Sequence, residues 1–422
     1  MYISVRDRPA AGEEASHSGT TTTKPPVGRV VLVLGVVSLL TDVSSESVSA
    51  ILPLYLTVVV GLTPVAYGLI DGLYQGVSAL VRLGGGWLAD ATDRPKWVAF
   101  LGYGLSAVAR VFLLFASGAA GIAAVVTVDR IGKGIRTAPR DAMISTSTPA
   151  EHLGRAFGVH RMLDTIGAAL GPLIAFGILV LVPDGYSVVL VVSLAFALAG
   201  VALLGLLGPD VRMRREKAKE AGPTPPPFRW RDLTDRRLRP LLVVSGALGL
   251  LTVSDGFIYL ALLDHGDVNV SWFPLFYVGT NLVYLLLAVP VGRLADRIGR
   301  ARILVLGHFA LVGAYLCSVV PTSTAAAAVG TLFLLGTFYA ATDGVIAALA
   351  GRLVPVQART SGIAAAQTMV ALARMVASAG FGLLWLLLGP GAAMLTVAAL
   401  LAGVVLLAAT RIARIDSAVV TP

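Results

Sequence analysis

The stretch Gly292-Arg293-Leu294-Ala295-Asp296-Arg297-Ile298-Gly299-Arg300 repeats a pattern that stands earlier in the chain as Gly86-Trp87-Leu88-Ala89-Asp90. Each copy lies at the end of the second long apolar run in its half of the chain. Two further correspondences follow in the same order, Thr41-Asp42 with Ser254-Asp255 and Arg140-Asp141 with Thr342-Asp343. Three matches in order predict a duplicated unit, and repeats of this kind in membrane proteins place a site where the two halves meet.

The composition assigns the chain to the membrane. Of its 422 residues, 56% are hydrophobic and only 14% are charged, and the mean hydropathy is +0.82. Soluble domains average about 45–50% apolar residues. Apolar runs of roughly 20 residues, the length that crosses a bilayer, lie near 30–56, 64–89, 97–115, 120–146, 156–182, 187–208, 239–262, 271–295, 302–320, 324–352, 361–388 and 391–411. We therefore predict an all-α membrane protein with twelve transmembrane helices in two pseudo-symmetric six-helix bundles.

Polar segments set the predicted domain boundaries. The N-terminal residues lack the short apolar core of a signal peptide, and the only long internal polar segment contains the proline-rich run Pro223–Pro227, typical of a linker. The predicted parts are a disordered cytosolic tail (1–29), a first bundle (30–208), a cytosolic linker (209–238), a second bundle (239–414) and a C-terminal tail (415–422). The single cysteine, Cys317, excludes an internal disulfide framework.

The distribution of lysine and arginine predicts the orientation. The loops near 58–64, 117–121, 183–187, 264–271, 321–324 and 389–391 contain neither residue, whereas the alternate loops and the linker contain many. Cytosolic loops carry the excess of positive charge, so both termini are expected to be cytosolic in the bacterial inner membrane. The net charge of +9 is then a signal of topology and predicts no nucleic-acid partner.

A basic run, Asp129 to Asp141, lies inside the fourth apolar stretch. A charge at membrane depth costs roughly 2.5 kcal/mol or more, so such groups are retained where they pair or face water. Helical spacing places Lys133, Arg136 and Arg140 on one stripe, with Asp129 one turn before Lys133 as its expected partner. The run predicts a polar path through the membrane.

Carboxylates on other helices are expected to balance this run. The candidates for proton coupling are Asp42, Glu46, Asp71, Asp129 and Asp164. The candidates for substrate binding or charge balance are Arg130, Lys133, Arg136, Arg140, Arg161 and Asp255. His308, alone in an apolar run, is interpreted as a core histidine. No metal-ligand spacing is visible.

Through the repeated loop pattern and the basic run, the chain resembles the major facilitator superfamily over about Val30 to Arg414. The family's loop motif G-x-L-A-D-R-x-G-R-[RK] is matched in the second half except at Ala301; in the first half Ala91 and Asp93 depart from it. The resemblance implies a gate at Gly86, Asp90, Arg94, Lys96, Gly292, Asp296, Arg297, Gly299 and Arg300. Arg130-Ile-Gly-Lys-Gly134 resembles R-x-x-Q-G, with Lys133 in place of glutamine. Gly167, Gly171 and Pro172 resemble the G-x-x-x-G-P motif of drug:proton antiporters.

The expected function is secondary active transport, most simply proton-coupled efflux of a small organic molecule by alternating access. No phosphate-binding loop of the Gly-x4-Gly-Lys-Ser/Thr type occurs, so a proton gradient is the expected energy source, with no cofactor. One alternative is a symporter that imports an organic anion. Another is a non-transporting membrane receptor or assembly factor; an enzyme is not expected. The expected partners are the substrate and lipid, with a monomeric protein.

Overall fold

The computed structural model describes residues 28–210, 238–264, 269–320, 323–353 and 359–420. The predicted N-terminal tail and the linker lie almost entirely outside these residues. Within them the first bundle consists of α1 (Arg29–Leu54), α2 (Pro64–Thr92), α3 (Pro95–Leu113), α4 (Gly118–Thr146), α5 (Leu153–Leu181) and α6 (Tyr186–Leu207). The second consists of α7 (Arg239–Leu250), α8 (Asp255–Asp264), α9 (Phe273–Ile298), α10 (Arg300–Cys317), α11 (Thr324–Thr342), α12 (Val345–Leu353), α13 (Arg359–Leu388) and α14 (Pro390–Val420).

Ten segments of the described chain are long and apolar enough to cross a membrane, among them the joined pairs α7–α8 and α11–α12. The chain is therefore an α-helical, multi-pass membrane protein. The predicted boundaries agree with the helices to within a few residues, with two exceptions. The last helix continues to Val420, where a tail was predicted from residue 415. The predicted seventh and tenth helices are both interrupted.

The interruption of the seventh helix lies between Leu250 and Asp255. Backbone groups released by a break must find partners in a membrane. The Tyr315 hydroxyl supplies them, because it accepts a hydrogen bond from the Val253 amide at 2.7 Å and donates one to the Leu251 carbonyl at 3.0 Å. The tenth helix breaks at Asp343, before Gly344 with φ of +80°.

Local sequence explains several helix ends. Proline occupies the first turn of α2, α3, α7 and α9, where its missing amide would have no helical partner. The Thr63 hydroxyl caps α2 by accepting from the Ala66 amide at 3.3 Å. At the end of α1, Pro53 is followed by a π-helical turn, Tyr55–Val59.

The two bundles pack together from one end of the molecule to about the middle of α2, at Gly76. We call this end the Gly61 face; it carries the connections α1–α2, α3–α4, α5–α6, α8–α9, α10–α11 and α13–α14. Here Gly382 of α13 lies against the backbone of Pro64, and Tyr67 contacts the Phe257 ring edge to face at 4.6 Å. Phe176 likewise contacts Trp272 at 6.3 Å. The contacts join α2 to α13 and α5 to α9.

Candidate functional site

A buried charge cluster joins α3 and α4. Asp129 Oδ2 accepts a hydrogen bond of 2.9 Å from Arg130 Nε and a second from Arg130 Nη2. Its other oxygen lies 3.5 Å from Arg110 Nη2, and the Arg110 and Asp129 side chains are 6% and 4% exposed. The Arg130 guanidinium also lies 3.8 Å from the centre of the Tyr74 ring, a cation–π distance. We call Arg110, Asp129 and Arg130 the α3–α4 cluster.

The close approach of α3 and α4 depends on two glycines. A Cβ on Gly102 would lie 2.7 Å from the Gly132 carbonyl oxygen, and one on Gly132 would lie 2.6 Å from the Gly102 carbonyl oxygen. Arg136 lies beside this crossing, where it stacks over Tyr103 at 4.5 Å and donates to Ser106 Oγ at 3.3 Å. Arg136 is therefore held against α3.

Lys133 and Glu46 form a more open pair between α4 and α1. Their side chains are 34% and 29% exposed, and Lys133 Nζ lies 3.9 Å from Glu46 Oε1. The expected i, i+4 pair of Lys133 with Asp129 is wrong, because Asp129 is bonded to arginines instead. The expected stripe is also divided, since Lys133 contacts α1 while Arg136 contacts α3.

A third cluster joins α1, α4 and α5. Arg140 binds its neighbour Asp141 at 2.9 Å, donates to Ser38 Oγ at 3.1 Å and lies 3.8 Å from Asp164. Arg161, largely exposed, lies 3.8 Å from the other oxygen of Asp164. The carboxyl groups of Asp164 and Asp42 lie close enough to interact. A hydrogen bond between two carboxyl groups would require a proton on one of them.

The three residues of the antiporter-like motif lie in α5 where it crosses α1. A Cβ on Gly171 would lie 2.7 Å from the Ser47 amide nitrogen and 2.9 Å from the Val43 carbonyl oxygen. Gly167 lies against the backbone of Leu39, and Pro172 is buried beside them. Small residues allow this approach. The contact flanks Asp42 and Glu46 on α1.

Asp71 lies apart from the basic run, at the junction of the two bundles. It accepts a hydrogen bond of 2.7 Å from Ser378 Oγ of α13. Asp255, the first residue of α8, accepts one of 2.7 Å from the Tyr339 hydroxyl. Arg374, one turn before Ser378, lies near both carboxylates. The expectation that Asp71 balances the fourth helix is therefore wrong; its neighbours belong to the second bundle.

The loop motifs place a residue with positive φ at the same position in the two halves, but with different backbones. Gly299 connects α9 to α10 with φ of +102° and ψ of 136°, whereas Asp93, in the equivalent place, has φ of +54° and ψ of 27°. Aspartate tolerates the left-handed helical conformation better than most residues, so Asp93 is compatible with its own turn. Arg300 binds Asp296 within the motif at 3.0 Å.

The remaining gate residues are placed as follows. Lys96 is buried and donates to the Gly205 carbonyl of α6 at 3.1 Å, while Arg94 and Arg297 are exposed. Gly292 has open space around it. The surroundings of Gly86 and the side chain of Asp90 lie outside the part of the chain that the structure describes. The interpretation of His308 agrees with its setting, because its Nδ1 lies 2.8 Å from the Leu304 carbonyl oxygen and its ring contacts Phe338.

Sequence reasoning missed Arg110, Tyr339 and Ser378. A single arginine inside the apolar α3 was a usable signal for Arg110, because an arginine at that depth needs a partner. It also missed Gly68, Gly72 and Gly76, whose spacing of four places them on one face of α2 against α13. No comparable signal distinguishes Ser378 from other serines. Among the described residues, no group of three or more His, Cys, Asp or Glu side chains could hold a metal ion.

A family model described as Major Facilitator Superfamily matches residues 34–378 and 267–418. An uncharacterised MFS-type transporter of Methanocaldococcus jannaschii is 29% identical over 287 residues, 66% of this chain and 69% of that protein. An uncharacterised protein of Mycobacterium tuberculosis is 31% identical over 299 residues, 69% of this chain and 71% of that one.

Among solved structures, the nucleoside transporter NupG superposes with a TM-score of 0.74 at 14% identity, covering 92% of this chain and 99% of NupG. A POT family transporter in complex with 5-aminolevulinic acid gives a TM-score of 0.75 at 13% identity, covering 93% and 97%. These structural likenesses concern the fold alone.

Proposed function

Since the chain belongs to the Major Facilitator Superfamily and is a membrane transporter rather than an enzyme, we propose that it exports a small organic molecule in exchange for protons. In this proposal it lies in the bacterial inner membrane with both termini cytosolic, as the lysine and arginine distribution favours. It has twelve spans, the ten apolar segments together with α2 and α4. Each of these two helices has 29 residues, about 44 Å of helix, and several of their charges are buried between helices.

The proximity of the Asp42 and Asp164 carboxyl groups carries the proposal of proton coupling. Two neighbouring carboxyl groups inside a bundle can share one proton, and separation of α1 from α5 would release it. Lys133 and Arg140 lie around the pair and can neutralise the carboxylates after the proton leaves. Asp42, Glu46 and Asp164 are thus the proposed proton-carrying group, with Asp129 as the fixed partner of two arginines.

The resemblance of the α5 residues at the α1–α5 contact to the motif of drug:proton antiporters supports efflux. Gly167 and Gly171 pack α5 onto α1 at the turns that carry Asp42 and Glu46. A change in the protonation of these carboxylates would therefore act directly at this helix contact. With cytosolic termini, the Gly61 face is external, so the contacts of Gly382 with Pro64 and of Phe176 with Trp272 close the external side. The loop motifs then lie at the cytosolic gate.

Import of an organic anion has less support. That alternative needs cations that are free to bind substrate, whereas Arg130 and Arg140 are each bonded to a carboxylate and Lys133 faces Glu46. Arg136 lacks a direct carboxylate among the described residues, but it is buried against Tyr103 and Ser106. Charge balance is the role that these contacts favour.

Energised everted vesicles test the proposal. An acridine dye reports the release of protons when compounds from a panel of antibiotics, siderophores and metabolites are added. We expect at least one compound to dissipate the gradient, and Asp42→Asn and Glu46→Gln to abolish that response at normal expression. Asp343→Asn, at the break between α11 and α12, is the matched control. Proton flux that survives in both Asp42→Asn and Glu46→Gln would remove these carboxylates from the coupling machinery.

A further inference from the structure

The junction of the bundles contains a small polar cavity that the proton-coupling proposal does not use. It has a free volume of about 10 Å³, room for one water-sized group such as an ammonium, and lies beside the break of the seventh helix. Its lining residues come from both bundles and are Gln75, Thr252, Val253, Ser254, Asp255, Tyr339 and Arg374. Asp71 lies one turn before Gln75 on α2, a few residues from the start of that helix. We call Asp71, Asp255, Arg374 and the adjacent cavity the junction site.

The junction site has more carboxylates than cations. Asp71 and Asp255 lie close enough to interact with each other and with Arg374, yet Arg374 forms no direct ion pair with either in the described part of the chain. Each carboxylate is oriented by one hydroxyl at 2.7 Å, from Ser378 and from Tyr339 respectively. One guanidinium can balance only one of two carboxylates. The site therefore has room for one further positive charge.

Two buried hydroxyl groups at or near the cavity form no hydrogen bond of normal geometry with the described residues. The Ser254 hydroxyl, on a residue 9% exposed, lines the cavity and lies near Asp71 and Tyr67, but it forms no hydrogen bond of normal geometry with a described residue. The Tyr67 hydroxyl, on a residue 1% exposed and one turn before Asp71, forms none either. A buried polar atom without a partner costs free energy, so a ligand that supplies donors would be bound favourably.

Tyrosine side chains lie near the two carboxylates. Tyr277 lies within electrostatic range of both Asp71 and Asp255 and packs against Tyr259 at 4.8 Å. Tyr67 and Tyr339 complete the set. Of these tyrosines only Tyr339 lines the cavity, and the Arg374 guanidinium lies 5.8 Å from the centre of its ring. The excess of carboxylate is therefore the feature that favours a cationic ligand.

We propose that the junction site binds the ammonium group of an amine-bearing substrate, with Asp71 and Asp255 as its carboxylate partners and Ser254 as an acceptor of its N–H groups. This inference rests on the proposal that the protein carries a small organic molecule, and it names the class of that molecule. The site belongs to both bundles, so a bound ammonium joins them where they must separate during alternating access.

Binding to the purified full-length protein in lipid nanodiscs tests the inference without any proton gradient. The probes are three compounds of one size, namely phenethylamine (cation), 3-phenylpropionate (anion) and 2-phenylethanol (neutral), and binding is measured by calorimetry at fixed pH and ionic strength. We expect only phenethylamine to bind, with affinity reduced about tenfold or more, or 1.4 kcal/mol, by Asp71→Asn. Asp255→Asn is the second variant, should the first fold poorly, and Asp343→Asn is the matched control.

Several outcomes would overturn the inference. These are equal binding of phenethylamine and 2-phenylethanol, preference for 3-phenylpropionate with loss in Arg374→Gln, or unchanged phenethylamine affinity in both carboxylate variants. Failure of phenethylamine to bind at roughly 10 mM, where even a weak site is occupied, would do the same. Asp42→Asn separates this inference from the proposed function, because it should retain phenethylamine binding even though it loses proton flux.

Discussion

Removal of the Asp129 carboxylate should expose the charge balance on which the first bundle depends. In the wild type, the α3–α4 cluster holds two guanidiniums and one carboxylate. Asp129→Asn leaves Arg110 and Arg130 facing each other without it, at side-chain exposures of 6% and 3%. At 3.5 Å and an effective dielectric constant of about 20, a single attraction of this kind amounts to about 5 kcal/mol. Measured losses on breaking a buried pair are about 3–5 kcal/mol.

We therefore expect Asp129→Asn to lower the free energy of unfolding by about 3–5 kcal/mol, towards the upper value because two arginines lose one partner. Unfolding in mixed micelles, followed by circular dichroism and tryptophan fluorescence, measures this loss. Adding Arg110→Gln restores the original net charge and should recover part of the stability. Adding Lys133→Gln, the partner that sequence spacing favours, should recover none. Recovery with Lys133→Gln but not with Arg110→Gln would refute the reasoning.

The other predictions concern packing and topology. Gly72→Ala should destabilise the contact of the bundles by about 1–3 kcal/mol, because its Cβ would lie 2.5 Å from the Met375 carbonyl oxygen; Gly104→Ala, with open space around it, should be neutral or slightly stabilising in the same unfolding assay. A reporter fused after Pro225 or at the C-terminus should give a cytosolic signal, and one inserted near Gly266 an external signal. A cytosolic signal near Gly266 would contradict the twelve-span topology.

Periodic and compositional features made the fold predictable from sequence. A span of roughly 20 apolar residues has few alternatives to a membrane helix, because lipid offers no partner for an unpaired backbone. The duplicated loop motif supplied the symmetry of the two bundles. Breaks in the seventh and tenth helices were harder to predict, since Leu251–Ser254 and Asp343-Gly344 lie inside runs that stay apolar on either side.

The partners of the charged residues followed from the sequence only in part. Spacing along α4 correctly identified a run that needs counter-charges, and Glu46 and Asp164 are among those that the structure supplies. Helical spacing assigned Lys133 to Asp129, because spacing within one helix carries no information about residues on other helices. Arg110 lies on another helix and reaches Asp129 through the close crossing at Gly102 and Gly132, which no local pattern in α4 reveals.

The sequence by itself determined that this chain is an apolar, duplicated bundle of helices with charges that must be shielded, because those properties depend on residue type and period. Only the tertiary structure decided which charges meet. Asp71 and Asp255 come from different bundles, and Ser378 and Arg374 from a third helix. The junction site has an excess of negative charge because α2, α8 and α13 pack together there. The positions of these residues along the sequence do not reveal that packing.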